Sequence, residues 1–445
     1  MCHFCDTLII TKLKTTMITS YQYRLNPTYE QRCQLTRWLN MLRGQYNDLL
    51  AERFNWWEMN CCYVNACPLT CSIAEPKKQP NYYDQKRSLV QLKEEREWYK
   101  DIHAHVLQDV VKRVDLAFQR WLKGDSNGKR SGKPRFKGKN RYRTMAFPSM
   151  PKEPINGNLI KFPKLGEIKF IPHRPLPEGF RVKRALITKK ADGWYVTLTL
   201  ENKSVPDSPT VNIEPTQDNS LGIDAGLEYF VACSEGSTKT PPRFYRCAED
   251  KLAKLQAKKD IKPKGSKPRR KLNQRIAKLH QKIARQRKQW HYELAGELLD
   301  KADVLFVEDL QVSNMTRRAK PKQDEDGKYL PNSQSAKSGL NKSFADAGIA
   351  GFLKEILPYK AAKAGKKVIQ VNPKGTSQHC SNCLNRVPKA LSDRWHSCPH
   401  CEVELQRDVN SGILIKKVGL GIASLKNANP ESGRRSPRCT ASQSA

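Results

Sequence analysis

The period of the hydrophobic pattern changes several times along this chain. Residues 18–25 read as a first strand, and Met17 before them is a candidate start, so that residues 1–16 are set aside as an N-terminal extension. From Thr28 the period is helical, with Leu35, Leu39, Leu42, Tyr46 and Leu49 on one face. A second long helix is expected over about 85–123, where Val106, Val110, Val114 and Phe118 stand four apart. Extended segments follow at 159–162, 167–171 and 181–188, and the turn Ala191-Asp192-Gly193 leads into 194–201. There Trp194, Val196, Leu198 and Leu200 alternate with Tyr195, Thr197 and Thr199, the mark of a half-buried strand. These strands predict a small β-barrel.

A stretch rich in Pro, Asp and Asn at 202–219 marks a boundary. Beyond it, strands are predicted at 221–224, 229–233, 243–247, 304–308 and 367–371. A very basic helix is expected over about 251–299, with the single apolar stripe Leu272, Ile276, Leu279 and Ile283. Residues 316–340 read as polar and flexible, 342–364 as a helix, and 425–445 as a disordered tail. The order β-β-β-α-β-α-β-α is what a ribonuclease-H-like α/β core needs.

Charge narrows the class. The 445 residues include 80 Lys plus Arg against 44 Asp plus Glu, a net charge of +36, with 38% hydrophobic residues. The length allows about three domains of roughly 150 residues. So large a positive excess calls for a polyphosphate partner, bound with counterion release. No stretch approaches the ~20 apolar residues of a membrane span. The apolar run Leu8-Ile9-Ile10 is too interrupted for a signal core, which predicts an intracellular, cytoplasmic protein. The 14 cysteines then read as thiols or metal ligands and not as a disulfide framework.

The chemistry is concentrated near the C-terminus. Cys380-x2-Cys383 and Cys398-x2-Cys401 have the spacing of a closed tetrahedral zinc site, with His379, His396 and His400 as rival ligands nearby. Four thiolates leave no open position, so this Zn²⁺ would be structural. Arg407-Asp408-x-Asn410 follows at once, and two more acids end apolar runs, Asp224 and Glu308. Acids at neighbouring strand tips, plus one from a later helix, can hold the Mg²⁺ or Mn²⁺ ions of phosphodiester hydrolysis. Glu308 has a rival in Asp309; alternation sends the two to opposite sides, and periodicity alone does not choose between them. A zinc ribbon beside three acids in so basic a chain points to a metal-dependent nuclease.

Two groups of cations are candidate nucleic-acid contacts. Lys133, Arg135, Lys137 and Arg141 lie in a glycine-punctuated loop with Phe136 and Tyr142 interleaved, a pattern that suits backbone contacts plus stacking. Arg275, Lys278, Lys282 and Arg285 line the basic helix. Cys61, Cys62, Cys67 and Cys71 form a further cluster that reads either as a second zinc site or as small buried residues.

The whole pattern resembles the TnpB (OrfB) proteins of bacterial insertion sequences, themselves similar to compact type V CRISPR effectors. The residues that carry the resemblance are Tyr21-x-Tyr-Arg-Leu-x-Pro27, Gly132-Lys-Pro-Arg-Phe-Lys137, Leu221-Gly-Ile-Asp-Ala-Gly226, Val307-Glu-Asp-Leu310, Thr376-Ser-Gln-x-Cys-Ser-x-Cys383, Cys398-x2-Cys401 and Arg407-Asp-x-Asn410. The resemblance implies an RNA-guided endonuclease that cuts double-stranded DNA beside a short target-adjacent motif, with a transposon-derived guide RNA. It favours Glu308 over Asp309 as the metal ligand. It also implies a wedge-type β-barrel at 17–25 and 126–213, interrupted by a helical recognition lobe at 26–125. A RuvC nuclease would occupy 214–375 and 405–424, with the zinc ribbon at 376–404. Alternatives are an RNA-guided DNA-binding protein, a CRISPR-type effector without a transposon role, and a guide-independent RuvC-like nuclease. Two departures carry expectations of their own. Leu384 and Glu402 stand where the family usually has Gly, which implies looser ribbon turns. Ser411-Gly412 replaces a small Ala pair, which implies a less rigid seat for Asp408.

Overall fold

The computed structural model describes residues 16–62, 78–206, 213–390 and 393–425. The N-terminal extension, Cys67, Cys71 and the C-terminal tail from residue 426 lie outside them, as do the side chains of Cys61 and Cys62. The chain divides into two compact units, one up to Asp207 and one from Ser208.

In the first unit, seven strands make one sheet: β1 (Thr16–Leu25), β2 (Thr144–Phe147), β3 (Ile155–Asn156), β4 (Leu159–Phe162), β5 (Gly166–Ile171), β6 (Arg181–Lys190) and β7 (Gly193–Pro206). Their order is β2-β6-β7-β1-β5-β4-β3 and every pairing is antiparallel. No ladder joins β2 to β3 among the described residues, so the sheet is open where a barrel was expected. Between β1 and β2 the chain forms α1 (Tyr29–Trp57), α2 (Tyr82–Arg87), α3 (Leu89–Glu95) and α4 (Ala104–Leu122). Thr28 and Gln31 close a capping box at the start of α1. The helix expected over 85–123 is broken at 96–103, where a 3₁₀ turn intervenes, and only its second half, α4, is long. Leu35, Trp38 and Leu42 of α1, Val110 and Phe118 of α4, and Phe147, Val196 and Leu198 of the sheet belong to one core. Within it Arg53 is buried and paired with Asp115 and Gln85, so its charge is compensated.

The second unit is built on a five-stranded sheet of β8 (Ser220–Asp224), β9 (Val231–Cys233), β10 (Thr238–Lys239), β11 (Val304–Glu308) and β14 (Lys367–Val371), in the order β10-β9-β8-β11-β14. The first three are antiparallel, whereas β11 runs parallel to both β8 and β14. Residues 243–247, expected as a strand, instead open α5 (Phe244–Asp260); the third strand is the short β10. The single basic helix is two, α5 and α6 (Lys267–Lys301), because Pro263 and Gly265 interrupt it. Residues 312–363 contain α7 (Val312–Met315), a hairpin of β12 (Lys322–Gln323) and β13 (Tyr329–Leu330), α8 (Gln334–Ala347), α9 (Ile349–Gly351), a π-helical turn, and α10 (Leu357–Lys363). The stretch expected to be flexible is therefore partly ordered. Gly348, at φ 70°, splits the helix expected over 342–364. Last come β15 (Trp395–Ser397), β16 (Glu404–Gln406) and α11 (Arg407–Gly419).

Strand alternation gives this sheet two different faces. Leu221, Ile223, Leu305 and Val307 pack with Leu294, Leu298 and Leu299 of α6 and Leu357 of α10. Val304 and Phe306 pack on the other side with Ile415 of α11. Gly222 lies on that second face, hard against the α11 backbone.

Candidate active site and zinc centre

The parity that puts Val304 and Phe306 on the α11 face also puts Glu308 there, and the parity of Gly222 puts Asp224 there. The parallel register pairs Val307 with Ile223, so the two acids end adjacent strands side by side. Asp408 comes from the first turn of α11, the helix covering that face, and Glu308 and Asp408 are both buried. Asp309 is directed elsewhere: it is partly exposed and pairs with Lys354 at 3.3 Å. Of the two neighbouring acids, Glu308 is the one on the side of β11 that faces α11.

Three acids so close disfavour each other's charge. Burial pushes the Asp224 carboxyl well above its ordinary value, and the charges of Glu308 and Asp408 push it further, against an opposing pull from Arg407. Burial also raises Glu308, and the hydroxyl of Thr376 partly offsets this by hydrogen bonding. Arg407 Nε lies 3.1 Å from Asp408 Oδ1. A site that crowds carboxylates and raises their proton affinity is prepared for a cation. The acids do not collapse into a closed cage. Among the described residues only the four cysteines bring their ligand atoms mutually within 4.8 Å. The acid set has the oxygen-ligand chemistry that suits Mg²⁺ or Mn²⁺.

The cysteines fit a zinc ion. Cys380 Sγ lies 3.6 Å from Cys401 Sγ, and Cys383 Sγ lies 3.5 Å from Cys398 Sγ. A tetrahedron with Zn–S bonds of about 2.3 Å needs sulfurs about 3.8 Å apart. None of the rival histidines joins this set. His379 Nδ1 is 2.8 Å from the Gly375 carbonyl, His396 is buried, and His400 is exposed.

The expected loosening of the ribbon turns does not occur. Leu384 and Glu402 take φ values of 62° and 56°, the left-handed conformation that Gly would take, and their N–H groups donate to the carbonyls of Cys380 and Cys398. The ribbon is fastened to α11 through Asn410, which is fully buried. Its Oδ1 accepts from Ser381 N at 2.8 Å and its Nδ2 donates to the His379 carbonyl at 2.9 Å. Gly412 sits close against β9. A Cβ at that position would come 3.0 Å from the Ala232 carbonyl, so its small size lets α11 settle onto β9.

Residues 203–319 match the family described as "Probable transposase" (OrfB_IS605), residues 351–415 the "Cas12f1-like, TNB domain", and residues 17–61 the "Helix-turn-helix domain" of OrfB_IS605. The chain is 26% identical over 404 residues to the "Putative RNA-guided DNA endonuclease InsQ" of Escherichia coli (strain K12), covering 90% of this chain and 92% of that one. Three separate segments of the chain are thus similar to OrfB_IS605 or Cas12f1-like family models, and most of its length aligns with InsQ. A second relative, the "Putative RNA-guided DNA endonuclease" of Streptomyces pristinaespiralis, is 26% identical over 91% of this chain and 90% of its own length. A chain from the "Cryo-EM structure of the Cas12f1-sgRNA-target DNA complex" aligns over 90% of this chain and 99% of its own, at 13% identity and a TM-score of 0.43. The segment matching the helix-turn-helix description is a strand followed by one continuous helix, β1 and α1.

The candidate contact residues divide into two sorts. In the basic loop, Lys133 lies over the Phe54 ring at 4.6 Å and Lys137 over Tyr46 at 5.5 Å, and the backbone of Lys137 is clamped by Asn47. Arg135 and Arg141 are exposed. Tyr142, expected to be available for stacking, is buried against Tyr46 and Arg113, and burial pushes its hydroxyl up to about 12. Phe136 remains exposed, edge-on to Phe54. On α6, Arg275, Lys278, Lys282 and Arg285 are all exposed, while Ile283 turns inward. Sequence reasoning gave no role to Thr376, Arg407 or Asn410, although all three stand in quoted motifs. Each lies within four residues of a candidate ligand, which was the available signal. Among the described residues no helix is long and apolar enough to cross a membrane.

Proposed function

We propose that this chain is an RNA-guided DNA endonuclease whose second unit is a RuvC-type, ribonuclease-H-like nuclease. The observation that carries the reading is the convergence of Asp224, Glu308 and Asp408 from two adjacent parallel strands and the helix that covers them. Asp224 would be the shared ligand, with Glu308 and Asp408 at its sides, all three binding Mg²⁺ or Mn²⁺. When bound, such ions activate an attacking water and neutralise charge building on the leaving oxygen. Arg407 steadies Asp408, and Thr376 steadies Glu308. The four-cysteine Zn²⁺ would hold the ribbon that carries Thr376 and Ser381 against the site.

Guide RNA and target double-stranded DNA are the proposed partners. Base pairing would read sequence, and the protein would read backbone, shape and a short flanking motif. The exposed cations of the 124–143 loop and of α6 suit backbone contact. The match to a family described as a probable transposase supports a transposon-associated role.

The test is to express the gene with its native flanking DNA, sequence the co-purifying RNA, and programme it against a chosen target. One discrete RNA and Mg²⁺-dependent cutting by wild type but not by Asp224→Ala supports the proposal. A smear of cellular RNA with cutting of branched or single-stranded DNA would replace it with a guide-independent nuclease.

A further inference from the structure

A cavity of about 680 Å³ in the second unit is lined by Leu227, Glu228, Arg243, Arg246, Asp346 and Arg394 among others. Two of its walls are continuous with the acids. Leu227 and Glu228 belong to the loop that leaves β8 just after Asp224. Arg394 accepts, at its carbonyl, the N–H of Arg407, the residue before Asp408. A chain of nucleotides lying in the cavity is therefore within a few residues of the reacting centre on both sides.

The charges suit phosphate. Arg246 is committed to bracing α8, through the Gly339 carbonyl and Ser343 Oγ, and also pairs with Glu249. Arg394 is held across the opening by Glu228 at 2.7 Å, and both side chains are about half exposed. Arg243 is exposed and makes no ion pair among the described residues, and its backbone is held in the left-handed region at φ 48°. The first N–H groups of α5 are not available to a ligand, because Asp346 accepts from Tyr245 N and Arg246 N. What the cavity offers is side-chain cations over an apolar floor of Leu227, Pro241 and Ala347.

We propose that this cavity is a backbone-phosphate subsite for the DNA strand being cut, with Arg243 and Arg394 as its phosphate ligands and Glu228 as a competitor that the strand displaces from Arg394. The proposal rests on the nuclease reading above. It makes a prediction of opposite signs: removing either arginine weakens strand engagement, whereas removing Glu228 frees Arg394 and strengthens it.

The experiment is single-turnover cleavage of a pre-unwound target by the RNA-loaded protein at varied protein concentration and salt. Wild type, Arg243→Gln, Arg394→Gln and Glu228→Gln are compared, with melting temperature and RNA affinity measured alongside. Each arginine variant should raise the half-saturating concentration about tenfold and flatten its log–log salt dependence by roughly 0.7–0.9, the slope of one lost phosphate contact. Glu228→Gln should lower the half-saturating concentration. Unchanged values for the arginine variants would overturn the subsite. If Glu228→Gln weakens engagement as Arg394→Gln does, the pair is only a structural clasp and the proposal is wrong. Loss of RNA affinity with intact strand engagement would assign the cavity to the guide RNA backbone instead. If wild type cuts nothing, the nuclease reading itself falls and takes this inference with it.

Discussion

The hydroxyl of Thr376 donates to Oε1 of Glu308 at 2.5 Å, and Thr376 is fully buried. This one bond ties the start of the zinc-ribbon segment to the tip of β11. It holds the carboxylate in one orientation and favours its charged form. Removing such a support from a metal ligand typically lowers metal affinity or activity about 10–100-fold. Thr376→Val should therefore raise the Mg²⁺ concentration needed for half-maximal cutting by about that factor, and Thr376→Ser should restore it. A Mg²⁺ titration of cleavage reads both. Equal Mg²⁺ dependence of wild type and Thr376→Val would dismiss the positioning role.

Asp224 carries a cost in the metal-free protein. Its folded-state pKa is raised, first by burial and then by Glu308 and Asp408, so between the ordinary carboxyl value and the raised one the folded state holds more protons than the unfolded. Stability of the metal-free protein must then fall as pH rises through that window. Asp224→Asn removes this term. It should abolish cutting yet melt higher than wild type in EDTA at neutral pH, with a shallower decline between acid and neutral pH. Melting curves in EDTA at several pH values test this. A variant that melts lower at neutral pH would mean that the Asp224 charge is compensated in the folded state.

The zinc centre should act on cutting at a distance. Burial pushes the Cys380 thiol up to about 12, while the Val403 N–H and then the neighbouring thiols draw Cys401 down to about 6. Zinc must displace the protons of the set, so loading should weaken as pH falls. Elemental analysis should find one zinc per chain. Cys380→Ser should release it and lower both stability and cleavage. Asn410→Ala should keep the zinc and still reduce cleavage, because it leaves Ser381 N and the His379 carbonyl buried without a partner, at about 1–3 kcal/mol each. Zinc loss in Asn410→Ala would show that the ribbon cannot form apart from α11.

Leu384 and Glu402 pay for the left-handed turns after Cys383 and Cys401. A side chain there is disfavoured by about 1–2 kcal/mol, part of which returns as the greater chain entropy of Gly in the unfolded state. Leu384→Gly and Glu402→Gly should each stabilise the protein by up to about 1 kcal/mol and slow zinc loss to a chelator. Faster zinc loss from either variant would show that the side chain contributes more than its backbone strain removes.

The site was legible in the sequence where chemistry and period coincide. Asp224 and Glu308 end apolar runs of strand length, and Asp408 follows soon after the second CxxC, so all three could be named as candidates before the fold was known. The face of each acid needed the helix that covers the sheet, and nothing local in Val307-Glu-Asp-Leu310 announces α11. The helix breaks at 96–103 and 261–266 were hidden because basic and apolar residues keep a helical period across them, and only Pro263 and Gly265 hint at the second. Tyr142 looked exposed because its neighbours in sequence are cations; it is buried because Tyr46 and Arg113, distant in sequence, close over it. Open sheet and closed barrel also share one strand pattern, since closure depends on whether the two edge strands meet.

Gly222 shows how closely the acid site depends on backbone contact. A Cβ added there would lie 2.1 Å from the Gly412 carbonyl oxygen and 2.7 Å from Lys416 N, both on α11. Neither is the end of a flexible side chain, so Gly222→Ala must move the helix off β8. Overpacking of this kind costs about 1–3 kcal/mol. The larger effect should fall on activity, because Asp408 rides on α11 while Asp224 stays with β8, and a shift between the two separates ligands of one site. Gly296→Ala is the matching control: it lies within α6 with nothing within 4 Å of an added Cβ, and Ala there should stabilise by about 1 kcal/mol. Cleavage and melting of both variants decide the matter. Gly222→Ala should lose cutting at temperatures where it remains folded, and Gly296→Ala should keep it. If Gly222→Ala cuts normally while folded, then α11 and β8 tolerate separation and the acids are not held by their mutual approach.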